Sequence, residues 1–128
     1  MNAAVADYTP VIVSEEKIKK SQDTFSVELK KTKDILKHLG QIKKRGQFLV
    51  GFALETTNEK EYALKKLESK NADMIVLNSL NDNGAGFGYD TNKITIFDKS
   101  NHEYHFDIKS KSEAATDIVN TIIKLLYV

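Results

Sequence analysis

Apolar residues in this chain come in short blocks whose spacing changes from one segment to the next, and that spacing predicts the elements. Asn2–Ala6 is small and apolar, as in a buried strand ending at Asp7, with Tyr8-Thr9-Pro10 turning the chain. Phe25, Val27 and Leu29 alternate with Ser26, Glu28 and Lys30, the period of a strand with one face buried. Together with Val11-Ile12-Val13 they predict an arm or hairpin, residues 10–31, enclosing a lysine-rich stretch.

Thr32 stands where it can cap a helix carrying Ile35, Leu36, Leu39 and Ile42 on one stripe, which Gly46 would end. Phe48–Ala53 is continuously apolar, as expected of a strand covered on both faces. Asn58 and Glu61 have capping-box spacing and open a helix to about Lys70, followed by the buried strand Met74–Leu77. Strand alternating with helix implies right-handed parallel crossovers and an α/β sheet. Residues 81–92, rich in Gly, Asn and Asp, predict a loop. Ile94–Phe97 and Glu103–Ile108 predict an antiparallel hairpin, and Ser112 a cap for a last helix with Ala115, Ile118, Val119, Ile122 and Leu126 at helical period.

A length of 128 residues fits one domain, 1–128. Nineteen Lys and Arg against 18 Asp and Glu leave a net charge of +1, which argues against a polyanion or a membrane surface as partner. The charge is uneven: residues 15–45 hold ten Lys or Arg and five Asp or Glu. That points to a confined anion such as a phosphate group, or else to a solvated lysine-rich surface. The absence of cysteine excludes disulfides, thiolate metal sites and a thiol nucleophile. No apolar run approaches the roughly 20 residues of a membrane span, and no secretion signal opens the chain, so a cytoplasmic location is expected.

Five places carry candidate chemistry. Asp7 ends a central strand, where open α/β sheets place ligands, and its carboxylate suits Mg²⁺ or the amides of a turn. Lys17, Lys19 and Lys20 lie on the arm; a lysine there can close over a phosphate, although solvent is the ordinary environment for the last two. Thr32-Lys33-Asp34-Ile35 opens a helix, whose free N–H groups favour an anion. Lys66 and Lys70, four apart near the end of the next helix, repel unless an anion or carboxylates lie between them. Gly84-Ala85-Gly86-Phe87-Gly88 precedes a hairpin strand instead of a helix, so it lacks the context of a dinucleotide or P-loop turn. His38, His102 and His105 form no ligand pattern for zinc.

Taken in order, seven segments resemble the carboxy-terminal part of phosphopantothenoylcysteine synthetase, the second activity of the bifunctional decarboxylase/synthetase of coenzyme A biosynthesis. They are Ala3–Tyr8, Glu16–Lys20, Lys31–Leu36, Gly51–Thr56, Lys66–Lys70, Asp73–Asn78 and Gly86–Asn92. Each is weak alone; their order along nearly the whole chain is specific. The chain departs from the family at Leu54 and Leu77, where Ala is usual.

The resemblance implies a Rossmann-like open parallel sheet with a β-arm and a C-terminal β-hairpin plus helix. It implies ligation of 4′-phosphopantothenate to L-cysteine through an acyl-cytidylate, with CTP (or ATP, as in eukaryotic relatives) and Mg²⁺. Met1, Asn2, Ala3 and Asp7 would contact the nucleotide, and Asp7 its Mg²⁺. Lys17 would be the catalytic lysine of the arm as well as a nucleotide contact. Lys33, Asp34, Ile35 and Leu36 would line the nucleotide, Phe52 would pack on it, and Lys66 and Lys70 would clamp it. The arm matches the family's dimerisation element, so a homodimer is expected, with neither nucleic acid nor membrane as partner.

A chain that opens on a buried strand further predicts that an upstream half, holding the family's glycine-rich turn, is missing. The alternative function is a non-catalytic nucleotide-binding or dimerisation module of the same fold, inactive without that half.

Overall fold

Residues 5–18, 24–79 and 88–127 are described by the computed structural model, and they fall into two units, residues 1–35 and 36–128. In the first, β1 (Tyr8–Pro10) pairs antiparallel with β2 (Leu29–Lys31), with Tyr8 opposite Lys31 and Pro10 opposite Leu29. Hydrogen bonds continue the ribbon at both ends: Val11 N–H donates to Glu28 O, and Thr32 N–H to Asp7 O. The predicted turn at Tyr8-Thr9-Pro10 is therefore a strand, and Pro10 is tolerated because a two-stranded ribbon has open edges. Of the predicted strand Asn2–Ala6, only Val5 and Ala6 lie within the described residues, and both are exposed and irregular.

The alternation at 25–29 also resolves differently. Phe25, Val27 and Leu29 are 70%, 51% and 53% exposed, and only Leu29 enters a strand. A two-stranded ribbon has no layer behind it to bury a face. Phe25 and Val27 instead line an open groove of about 590 Å³ with Pro10, Ile12, Val13 and Ile18.

In the second unit a four-stranded sheet runs in the order β3 (Val50–Glu55), β4 (Met74–Ser79), β5 (Thr91–Asp98), β6 (Glu103–Ser110). β3 and β4 are parallel, joined through α2 (Glu59–Ser69) as the alternation predicted, and β4–β5–β6 are antiparallel. The loop predicted to reach residue 92 ends sooner, since Thr91 and Asn92 already belong to β5; residues 81–87 of it lie outside the described residues. β4 is the centre: Met74 to Leu77 are all buried, because helices cover both faces. Ile75 and Leu77 pack with Ala53, Ala63 and Leu67 on the α2 side. Met74 and Val76 pack with Ile94, Ile96 and Ala114 on the other side, covered by α3 (Lys111–Leu126). The sheet is thus a mixed one within an α/β fold, its antiparallel half built by the predicted hairpin.

Three helix boundaries correct the sequence reading. α1 (Ile35–Ile42) starts later than Thr32 and stops before Gly46, which turns the chain at φ +84° between Lys44 and Gln47. α2 has no capping box: Asn58 sits in the left-handed region at φ 46° and its side chain makes no cap bond. Asparagine tolerates that conformation better than most residues, so backbone geometry took precedence over capping. α3 does carry a capping box, built on Ser110 and Glu113 and not on Ser112. β3 is a further correction: Gly51 and Ala53 are buried against the α2 side, but Phe52 is 63% and Leu54 41% exposed. An edge strand covered on one face only replaces the strand buried on both.

Candidate functional site

The first unit joins two of the predicted site segments. Thr32 N–H donates to Asp7 O at 2.9 Å and its hydroxyl donates to Ala6 O at 2.6 Å. Asp7 is thereby held against the residue that precedes Lys33, Asp34 and Ile35, across 25 positions of sequence. Asp7, Lys33 and Asp34 are exposed and Ile35 is half-buried at the start of α1. The hydroxyl of Thr32, expected to cap α1, is spent on Ala6 instead. Lys17 lies in the irregular part of the arm and is exposed. Met1, Asn2 and Ala3 lie outside the described residues.

In the second unit, Leu36 is half-buried, its side chain against the α-carbon of Gly51. Phe52 projects from the face of β3 opposite the one α2 covers. Lys66 and Lys70 sit one helical turn apart, in the last turn and at the C-cap of α2, both half-buried. They stand where α2 returns to the amino end of β4, away from the carboxyl ends of β3 and β4, where open α/β sheets place ligands. The unit brings the two lysines together and leaves Phe52 on another layer.

Two residues that the sequence reading passed over mark the carboxyl end of β4. The side-chain oxygens of Asn78 and Asn92 are buried and have no hydrogen-bond partner among the described residues. Asn78 lies opposite Leu54 on one side and Ile94 on the other, and Asn92 is two residues from Ile94 along β5. A buried oxygen lacking a donor costs about 1–3 kcal/mol, which a ligand N–H or O–H at that end of an open sheet can relieve. The sequence signal was a polar residue closing the apolar run Met74–Leu77.

The strongest electrostatics serve the scaffold. Burial pushes the Asp73 carboxyl up, but bonds from Lys43, the Leu49 N–H and Lys99 outweigh it and hold the group below the usual carboxylate range. Asp98, 2% exposed, is likewise raised by burial and lowered further by the N–H and ring of His102, the Tyr104 hydroxyl and the Ser100 N–H. Asp73 precedes β4 and Asp98 ends β5, directly across from Met74. Both therefore brace the end of the sheet away from Asn78.

No group of three or more His, Cys, Asp or Glu able to hold a metal occurs among the described residues. Asp7 alone fits Mg²⁺ brought by phosphates, which needs one or two protein carboxylates, and not a dedicated protein cage. Among the described residues no helix is long and apolar enough to cross a membrane.

Comparison with known proteins is consistent in family and varied in name. The chain is 53% identical over 125 residues to a cysteine/cysteine sulfinic acid decarboxylase of an unknown prokaryotic organism, covering 98% of this chain and 35% of that protein. It is 50% identical over 123 residues to the coenzyme A biosynthesis bifunctional protein CoaBC of Bacillus subtilis, covering 96% of this chain and 30% of that protein. The chain thus spans about a third of the length of these relatives. The crystal structure of the C-terminal domain of a coenzyme A biosynthesis bifunctional protein CoaBC superposes with a TM-score of 0.73 at 40% identity, over 97% of this chain and 52% of that one. A DNA/pantothenate metabolism flavoprotein from Streptococcus pneumoniae shares the fold, with a TM-score of 0.68 at 21% identity, over 97% of this chain and 61% of that one. The family described as the DNA/pantothenate metabolism flavoprotein C-terminal domain matches residues 1–126, and the chain belongs to that family.

Proposed function

We propose that this chain supplies the carboxy-terminal part of a CTP-dependent ligase that joins 4′-phosphopantothenate to L-cysteine in coenzyme A biosynthesis. In the first step the substrate carboxylate attacks the α-phosphorus of CTP, forming the acyl-cytidylate and releasing pyrophosphate. In the second the cysteine amine attacks the acyl carbon, the amide forms, and CMP leaves. The observation that carries this reading is the junction of Asp7 with the start of α1 through Thr32, in a chain of this family.

Each residue has a role that its chemistry suits. Asp7 receives the Mg²⁺ that accompanies the triphosphate; the metal, when bound, neutralises phosphate charge. Met1, Asn2, Ala3 and Lys33–Leu36 line the nucleotide, partly through backbone N–H groups. Phe52 offers an exposed aromatic face to the base. Lys66 and Lys70 supply two cations one turn apart. Lys17, on the arm, stabilises charge at the reacting carboxyl-phosphate centre. The exposed apolar groove of the arm supports a homodimer in which the arm of one protomer meets its partner.

The test is CTP-dependent pyrophosphate release with both substrates, on the chain alone and on the chain joined to the upstream part of the Bacillus subtilis domain. Release only in the joined form agrees with the ligase reading. CTP binding without release in either form supports the alternative, a non-catalytic nucleotide-binding module. Carbon dioxide release from cysteine sulfinic acid, without CTP, would point to the reaction named for the decarboxylase relative and refute the ligase.

A further inference from the structure

We propose that Thr32 is a positioning residue that fixes the direction of the Asp7 side chain. This rests on the reading of Asp7 as the carboxylate that meets the metal-bound nucleotide.

The peptide before the α-carbon of Asp7 carries the carbonyl of Ala6, and the peptide after it carries the carbonyl of Asp7 itself. Thr32 holds both. Its hydroxyl donates to Ala6 O at 2.6 Å and its N–H donates to Asp7 O at 2.9 Å. Pinning the two peptide planes that flank one α-carbon fixes φ and ψ there, and with them the bond from Cα to Cβ. Asp7 is exposed, and no packing layer is needed to set its direction. It lies at the end of the ribbon, one residue before Tyr8 pairs with Lys31, so the ladder holds only its carboxyl side. The hydroxyl supplies the bond on the other side. Thr32 also precedes Lys33 directly, so one residue sets the spacing between the carboxylate and the first residues of the proposed nucleotide-lining segment.

This assigns the hydroxyl a use other than helix capping. α1 begins at Ile35, three residues on, and the hydroxyl is turned toward Ala6. A valine keeps the shape and the backbone N–H and removes only that donor; a serine keeps the donor.

The test uses the full 128-residue chain. Amide exchange at position 32, read by NMR without ligand, is expected to be roughly 3- to 10-fold faster in Thr32→Val, the loss of about one hydrogen bond, and close to wild type in Thr32→Ser. Calorimetric titration with CTP and Mg²⁺ is expected to show a similar weakening in Thr32→Val and recovery in Thr32→Ser. Thr32→Val should add nothing in an Asp7→Asn background, because the direction of a residue that no longer binds is immaterial. Unchanged exchange in Thr32→Val overturns the pinning, whatever the titration gives. Additive losses in the double variant overturn the link to Asp7. A wild-type chain that takes up no CTP, either alone or joined to the upstream part of the Bacillus subtilis domain, with exchange altered as expected, removes the nucleotide reading and leaves the pinning in place.

Discussion

The α-carbon of Gly40 in α1 packs against the carbonyl of Lys70 at the end of α2, so closely that a Cβ built on it would lie 1.8 Å from that oxygen. Asn71 closes the same contact, its side chain donating to Gly40 O at 2.8 Å. Gly40→Ala therefore cannot be accommodated without moving backbone. The expected cost is roughly 1–3 kcal/mol, read as a lower midpoint of chemical unfolding. If Lys70 clamps the nucleotide, displacing it should also weaken CTP binding in the folded fraction. An unaltered midpoint would contradict this packing.

Asp98 and Asp73 make stability acid-sensitive. Both carboxyls titrate below their ordinary range in the fold, so their contribution is complete above the unfolded value near about 4 and is lost as pH falls through the folded values. Unfolding free energy should stay level from neutral pH to about 5 and drop below about 4. Asp98→Asn should cost about 1–3 kcal/mol at pH 7, because donors around a 2% exposed group lose a charged acceptor. It should also flatten the acid limb of the profile. A limb of unchanged slope would assign the acid loss to other groups.

Lys17 is exposed, so Lys17→Gln should leave the unfolding midpoint unchanged. In the joined, active form, turnover should fall by roughly 100-fold or more if the ammonium stabilises developing charge. Turnover within twofold of wild type would remove Lys17 from the chemistry.

Phe52 separates binding from stability. At 63% exposure its truncation to alanine should change stability by no more than about 0.5 kcal/mol. If the ring stacks on a nucleobase, CTP affinity should drop by about 1–3 kcal/mol. Equal CTP affinities for Phe52→Ala and wild type, measured by calorimetry, would place the base elsewhere.

Much of the second unit was legible before its structure. The apolar run Met74–Leu77 reads as a strand buried on both faces because four consecutive buried side chains leave no polar side to expose. The hairpin of β5 and β6 follows from period alone, but the stripe of α3 is displaced: Ala114, Ile118, Ile122 and Leu125 face the sheet, while the predicted Ala115, Val119 and Leu126 are exposed. Phe48–Ala53 misled because composition does not distinguish a central strand from an edge strand: Phe52 and Leu54 are as apolar as Ala53, but only one face of β3 is covered. Phe25, Val27 and Leu29 misled for the related reason that alternation predicts a face without supplying the layer that buries it.

The candidate site was legible as residue types and not as geometry. Asp7, Lys17, Lys66 and Lys70 stood out by chemistry and spacing. Asn78 and Asn92 did not, since an unsatisfied oxygen is recognised only once its surroundings are known.

By itself the sequence determined the order of strands and helices in the second unit, to within a few residues at their ends, and which carboxylate and ammonium groups are present, because periodic burial is written in residues a few positions apart. The tertiary structure alone decided that Thr32 binds Ala6 and Asp7, that Gly40 meets Lys70, and which face of β3 is bare. Those contacts join positions 25 or more residues apart, or depend on which layer covers a strand, and no local spacing encodes either.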